Sequence, residues 1–175
     1  MGYCCRAGFA IAAQLSSSRV LLTGHVTEAH PQNSMTANEM ELMEVLYDTP
    51  KILDDDIRWE HEGGGRFCMK ARVVSDASGE ILEIKGQKWQ KGYSFVLMYK
   101  NNIIRCWDFN DHHPGINGGH KHKYPYDEYQ EDDPYSVNDV STTNVNQGLI
   151  DFLDECKIEY DHADIQEVPK VDQYD

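Results

Sequence analysis

Residues 93–109 read Tyr93-Ser-Phe-Val-Leu-Met-Tyr99, then Lys100-Asn101-Asn102, then Ile103-Ile-Arg-Cys-Trp-Asp-Phe109. Two runs rich in aromatic and β-branched residues flank a short polar turn, which is the pattern of a β-hairpin. Successive residues of a strand point to opposite faces, so we expect Arg105 and Trp107 on one face and Asp108 on the other. The pattern predicts an antiparallel sheet built around this hairpin.

Further strands are expected before the hairpin. Residues 67–74 and 81–84 have strand-like composition, and the turn sequence Asp76-Ala-Ser-Gly79 joins them. Residues 60–65, by contrast, combine two glutamates with three glycines and predict a flexible acidic connection. Asp54-Asp55-Asp56 invites a metal interpretation, but a solvated turn is the simpler expectation.

A helix is expected on each side of these strands. Asn38 with Glu41 three residues later resembles an N-cap with its N3 partner, which predicts a helix over about 38–48. Apolar residues at helical spacing predict a second helix over about 146–157. The predicted fold is α+β, with a mostly antiparallel four- or five-stranded sheet packed by an N-terminal and a C-terminal helix.

The length of 175 residues favours a single domain with a proper core. Met35 precedes the first predicted helix, so residues 1–34 are interpreted as an N-terminal extension, either disordered or an over-long start. The apolar run at 7–15 is too short to span a bilayer. The expected division is an extension at 1–34, a single α+β domain at 35–168 and an acidic tail at 169–175.

The net charge of −14 is unevenly distributed. Residues 1–34 carry +1, residues 35–123 carry −2 and residues 124–175 carry −13. Such an acidic chain is not attracted to nucleic acid by its overall charge. The acidic segment is expected to solvate the chain, and binding of a basic partner is the alternative.

Five cysteines, an odd number without a CxxC pair, predict free thiols rather than a disulfide framework. Cys68, Cys106 and Cys156 lie in strand-like or helix-like runs and are expected to be buried. This cysteine pattern favours a reducing compartment, so the predicted location is the cytoplasm, with no membrane association.

Four of the eight histidines, at 112, 113, 120 and 122, fall within eleven residues directly after the hairpin. Cleavage of RNA by its own 2′-hydroxyl requires a base, an acid and a cation near the phosphorane oxygens. Histidine has a pKa near neutrality and can act as both base and acid. We therefore assign proton transfer to His120 and His122, phosphate binding to Arg105 and orientation of an imidazole to Asp108.

Other cationic and imidazole groups near the cluster are candidates for substrate binding. These are Lys121, Lys123, His112 and His113. In an extended segment, His120 and His122 would share one face and the two lysines the other. A set of surface histidines beside a loop, without a common function, is the plain alternative.

Metal binding is the rival chemistry. His120 and His122 together with His112, His113 or Asp108 would supply three ligands for a divalent ion, with an open coordination position. The set His112, His120 and His122 is the alternative metal site. The chain has no HExxH, CxxC or EF-hand signature, so the primary expectation is an enzyme without a cofactor.

The order Arg105-x-x-Asp108, His112-His113-Pro114 and His120-Lys121-His122 resembles the TumE-like family, the toxin components of prokaryotic toxin–antitoxin modules, or a related uncharacterised prokaryotic family. The similarity covers roughly residues 66–158. Two features depart from the family pattern: two residues rather than one separate Arg105 and Asp108, and two glycines precede the last motif.

The resemblance implies a growth-inhibiting toxin that acts on RNA and is held in check by a cognate antitoxin. Combined with the histidine chemistry, it predicts an RNA-cleaving toxin. The alternatives are a metal-dependent hydrolase that uses the same histidines, or a non-enzymatic interaction protein whose acidic segment binds a partner. The sequence leaves the oligomeric state open, with a homodimer among the alternatives.

Overall fold

The computed structural model describes residues 36–109, 119–122, 135–136 and 144–169. Strands make up nearly half of these residues, and two helices of 12 and 11 residues accompany them. In chain order the elements are α1 (Ala37–Asp48), β1 (Lys51–Leu53), β2 (Trp59–Gly63), β3 (Arg66–Ser75), β4 (Ile81–Lys88), β5 (Tyr93–Tyr99), β6 (Asn102–Phe109), β7 (Gly119–His122), β8 (Tyr135–Ser136), α2 (Val145–Glu155) and β9 (Ile158–Glu159).

All nine of these strands belong to one sheet with the order β8-β7-β6-β5-β4-β3-β1-β9, and β2 pairs with β3 beside this path. Strands β3 to β8 form an antiparallel meander in which each strand pairs with the next along the chain. The pairing of β1 with β9 is parallel. Strands β6 and β7, which carry the candidate site, therefore lie towards the β8 end of the sheet.

The predicted α+β class is wrong, because the described chain is mostly β, with nine strands in its sheet rather than four or five. The hairpin is present as β5 and β6, and α1 and α2 lie within two residues of the positions expected. The missed strands are short or polar, and they form through pairing with other strands. The predicted flexible connection at 60–65 is mostly β2, whose Trp59 is buried and pairs with Met69 of β3.

Helix α1 begins two residues before the predicted position. Its N-cap is Thr36, whose hydroxyl accepts a hydrogen bond from the backbone N–H of Glu39 at 3.3 Å. The Glu39 carboxylate in turn accepts from the backbone N–H of Thr36 at 2.8 Å. This reciprocal capping box replaces the predicted one at Asn38 and Glu41.

An aromatic cluster holds α2 against the sheet. Tyr93, Phe95 and Trp107 project from β5 and β6, and their rings contact one another at centroid distances of 5.4–6.1 Å. Phe152 of α2 packs on Phe95 and Trp107 at 5.8 Å and 6.4 Å. Trp107 is 1% exposed and lies in the core. This packing fixes the face of β6 that lies against the helix.

Several predictions concern residues outside those described. They include the extension at 1–34, most of the acidic tail, and the loop histidines His112 and His113 with Lys123. Neither described helix is long and apolar enough to cross a membrane.

Candidate functional site

The pairing of β6 with β7 brings the candidate residues together. Asp108 lies directly opposite His120, and Cys106 lies opposite His122. Side chains of directly paired residues project from the same face of a sheet. His120 and His122 are two residues apart and share this face. The backbone register alone therefore places one carboxylate beside two imidazoles.

The three side chains converge at short distances. The Asp108 Oδ2 atom lies 3.5 Å from Nε2 of His122 and 3.9 Å from Nε2 of His120. The two imidazole rings lie 5.1 Å apart between centroids and are inclined at 67°. The Cys106 Sγ atom is 3.3 Å from the same Asp108 oxygen. One carboxylate oxygen thus faces both histidines.

This cluster is buried. Asp108 is 1% exposed, His120 is 0% exposed and His122 is 4% exposed. An ionised carboxylate removed from water is costly unless an opposite charge compensates it. Either a protonated imidazole or a bound cation would supply that charge at Asp108. Asp108, His120 and His122 therefore belong to the protein interior rather than to a solvated surface.

Arg105 and Lys121 lie on the opposite face of β6 and β7, towards α2. The Arg105 guanidinium binds Glu155, the last residue of α2, with its Nε donating to Oε1 at 2.6 Å. The Lys121 ammonium binds the other oxygen of Glu155 at 2.5 Å. Arg105 Nη1 also donates to the backbone carbonyl of His122 at 3.1 Å. One glutamate therefore ties both candidate strands to the helix.

The placement of the predicted residues is thus divided. Asp108, His120 and His122 come together, whereas Arg105 and Lys121 lie on the other side of the sheet, as expected from strand alternation. In the alternative metal site, His120 and His122 are adjacent, and the third ligand beside them is Asp108.

Sequence reasoning missed Glu155 and Tyr47. The Tyr47 ring lies 5.7 Å from the Arg105 guanidinium, and its hydroxyl donates to Glu155 at 3.4 Å. The only indication in the sequence was that two positively charged side chains in buried strands require an acidic partner. The helix pattern directed attention to the apolar side of α2 and gave no reason to choose Glu155.

The family model described as Toxin TumE matches residues 42–160, about two thirds of the chain. The matched region runs from within α1 to the residue after β9 and includes every residue of the cluster. No curated protein and no solved structure matches the chain.

Proposed function

Since the chain belongs to the toxin TumE family, as its motifs indicated, we propose that it is a toxin that cleaves RNA and is neutralised by a cognate antitoxin. The reaction centre in this proposal consists of Asp108, His120 and His122. The observation that supports it is the convergence of these three buried groups within 4.8 Å. The proposed location is the cytoplasm, where such a toxin would meet its RNA.

The sequence-based form of the mechanism uses the histidines for proton transfer. One imidazole takes the proton of the 2′-hydroxyl, the other protonates the leaving 5′-oxygen, and Asp108 orients one of them. A paired acid and base of this kind typically accelerates a reaction about 10²–10⁴-fold per group. Substitution of either histidine is therefore expected to reduce cleavage by at least a hundredfold.

The residue that supplies the positive charge near the phosphate is harder to assign than the proton-transfer pair. Arg105 and Lys121 are both engaged by Glu155 on the opposite face, so their predicted role requires that they leave that glutamate. Lys123, His112 and His113 are the remaining predicted contacts to substrate. A metal-dependent hydrolase is the second candidate, because an ion held by the three clustered residues would place positive charge at the reaction centre itself.

Induced expression and RNA cleavage test the proposal together. Wild type, Asp108→Asn, His120→Ala and His122→Ala would be induced in a bacterial host, with growth and RNA integrity followed over time. The matched control is His61→Ala, which removes an exposed histidine of β2. Wild type and control are expected to arrest growth and fragment RNA, whereas the three cluster variants are not.

Purified proteins assayed on a defined RNA complete the test, after circular dichroism has shown that each variant is folded. Folded cluster variants that cleave at the wild-type rate would exclude this reaction centre. Growth arrest by wild type without cleavage of any RNA would exclude the ribonuclease activity. Co-expression with the neighbouring gene would identify the proposed antitoxin, and light scattering would determine the oligomeric state, for which a homodimer is one alternative.

A further inference from the structure

We infer that Asp108, His120 and His122 bind a divalent transition-metal ion, with zinc as the expected ion. Each residue contributes one ligand atom, and all three atoms lie within 4.8 Å of one another. The inference concerns the occupant of the cluster and does not require RNA to be the substrate. Within the proposed function it corresponds to the metal-dependent form, because an imidazole nitrogen that binds an ion cannot also transfer a proton.

The two distances from Asp108 to the histidines are close to the spacing of ligand atoms in a tetrahedral site. Zinc binds histidine nitrogen and carboxylate oxygen at about 2.0–2.2 Å, which places neighbouring ligand atoms roughly 3.3–3.5 Å apart. The Asp108 oxygen lies 3.5 Å from the His122 nitrogen and 3.9 Å from the His120 nitrogen. The three ligand atoms lie within 4.8 Å of one another, so a bound ion would draw the two imidazoles towards each other and towards Asp108.

A protonated histidine is the rival means of neutralising Asp108, and the distances do not favour it. A charge-assisted hydrogen bond between imidazolium and carboxylate is typically about 2.7–2.9 Å long. Both distances to Asp108 exceed that length by more than half an ångström. The same carboxylate oxygen instead lies within 4 Å of both imidazole nitrogens, so one ion could contact all three groups.

The sheet organises the site before any ion arrives. Asp108 and His120 are opposite each other in the β6–β7 register, and His122 follows on the same face of β7. The donor set of two imidazoles and one carboxylate suits zinc and also occurs in iron sites. Three protein ligands leave one position open for water or a substrate oxygen, which is the arrangement of catalytic rather than structural zinc.

Metal content provides a direct test. The full chain would be purified without a histidine tag and subjected to elemental analysis, alongside Asp108→Asn, His122→Ala and the control His61→Ala. We expect about one equivalent of zinc, iron or manganese per chain in wild type and control, and loss of most of it in both cluster variants. Asp108→Asn keeps the side-chain shape, so it separates loss of the ligand from loss of packing.

A second measurement does not depend on what the protein retains during purification. After treatment with a chelator, each protein is titrated with Zn²⁺ while its thermal unfolding is followed. A ligand that binds only the folded state raises the melting temperature. Wild type and His61→Ala are expected to show this rise, and folded Asp108→Asn is not.

Two results would overturn the inference. One is wild type that holds no metal and gains no thermal stability with Zn²⁺. The other is equal metal binding by wild type and folded Asp108→Asn, which would place the ion elsewhere. Metal binding without RNA cleavage would refute the proposed function and leave this inference standing. RNA cleavage by wild type that neither retains metal nor gains thermal stability with Zn²⁺ would do the reverse.

Discussion

Substitution of Glu155 by glutamine should show how much this side chain contributes to stability by holding α2 against the sheet. The change retains size and hydrogen-bonding shape but removes the negative charge. Arg105 and Lys121, which are 8% and 6% exposed, would then share a nearly buried site without their carboxylate. The net charge of the group formed by Arg105, Lys121 and residue 155 would change from +1 to +2.

The magnitude follows from the burial of the partners. Removal of one member of a buried ion pair typically costs about 3–5 kcal/mol, because the other charge is left uncompensated. The Glu155 side chain is 21% exposed, so water would reach the two cations in part. We expect a loss of about 2–3 kcal/mol in the free energy of unfolding, at the lower edge of the range for a buried pair.

Urea denaturation measures this loss. With a slope of about 2 kcal/mol per molar urea for a domain of this size, the midpoint should fall by about 1–1.5 M. The exposed Glu44→Gln is the matched control and should change stability by less than about 0.5 kcal/mol. A surface ion pair would be screened by salt, whereas the loss at Glu155 should persist in about 0.5 M salt.

A double-mutant cycle gives the decisive comparison. In the background Arg105→Met and Lys121→Met, no cation remains for Glu155 to neutralise, so Glu155→Gln should cost less than about 1 kcal/mol. A midpoint shift below about 0.3 M in the wild-type background would refute the reasoning. An equal loss in both backgrounds would do so as well, since it would show that Glu155 acts through something other than these two cations.

Two further predictions concern α2 and its C-terminal end. Gly148→Ala should destabilise the protein by about 1–2 kcal/mol although alanine is the better helix former, because its Cβ would lie 2.6 Å from the hydroxyl of Tyr93, and overpacking of this kind outweighs the gain in propensity. Urea denaturation would check this, and the loss should shrink in a Tyr93→Phe background; a stabilised Gly148→Ala would contradict it. Burial raises the pKa of the Cys156 thiol to about 12, so its contribution to stability is fully present below the thiol's pKa in the unfolded chain and is lost as pH rises towards 12. Wild type should therefore lose about 2 kcal/mol more than Cys156→Ala between pH 8 and pH 10, and parallel pH profiles of the two proteins would contradict this.

Local sequence patterns were sufficient to predict part of the fold. The hairpin of β5 and β6 follows from alternating apolar residues around a polar turn, and α2 follows from its 3.6-residue periodicity. Arg105 and Asp108 lie on opposite faces of the sheet because side chains alternate along a single strand. The grouping of His120 with His122 has the same origin. Each of these features depends on residues close together in the chain, where spacing translates directly into geometry.

The rest was decided by pairing between strands, some of them neighbours in the chain and some far apart. β2 is an acidic, glycine-rich segment that becomes a strand only because β3 offers it hydrogen-bonding partners. Local periodicity does not specify which strands pair, and this is why the number of strands was underestimated and the class was predicted as α+β. The capping box was likewise predicted at Asn38 and Glu41, and the side-chain contacts between Thr36 and Glu39 place it two residues earlier.

The candidate site shows the same division. The sequence by itself determined that Asp108, His120 and His122 stand near one another in the chain, and that Arg105 faces away from Asp108. Only the tertiary structure decided that Asp108 lies opposite His120 in the sheet, and that Glu155, fifty residues after Arg105, binds it. Register and the choice of an ion-pair partner depend on which surfaces meet when the chain folds, and that information is distributed over the whole fold rather than held in any one segment.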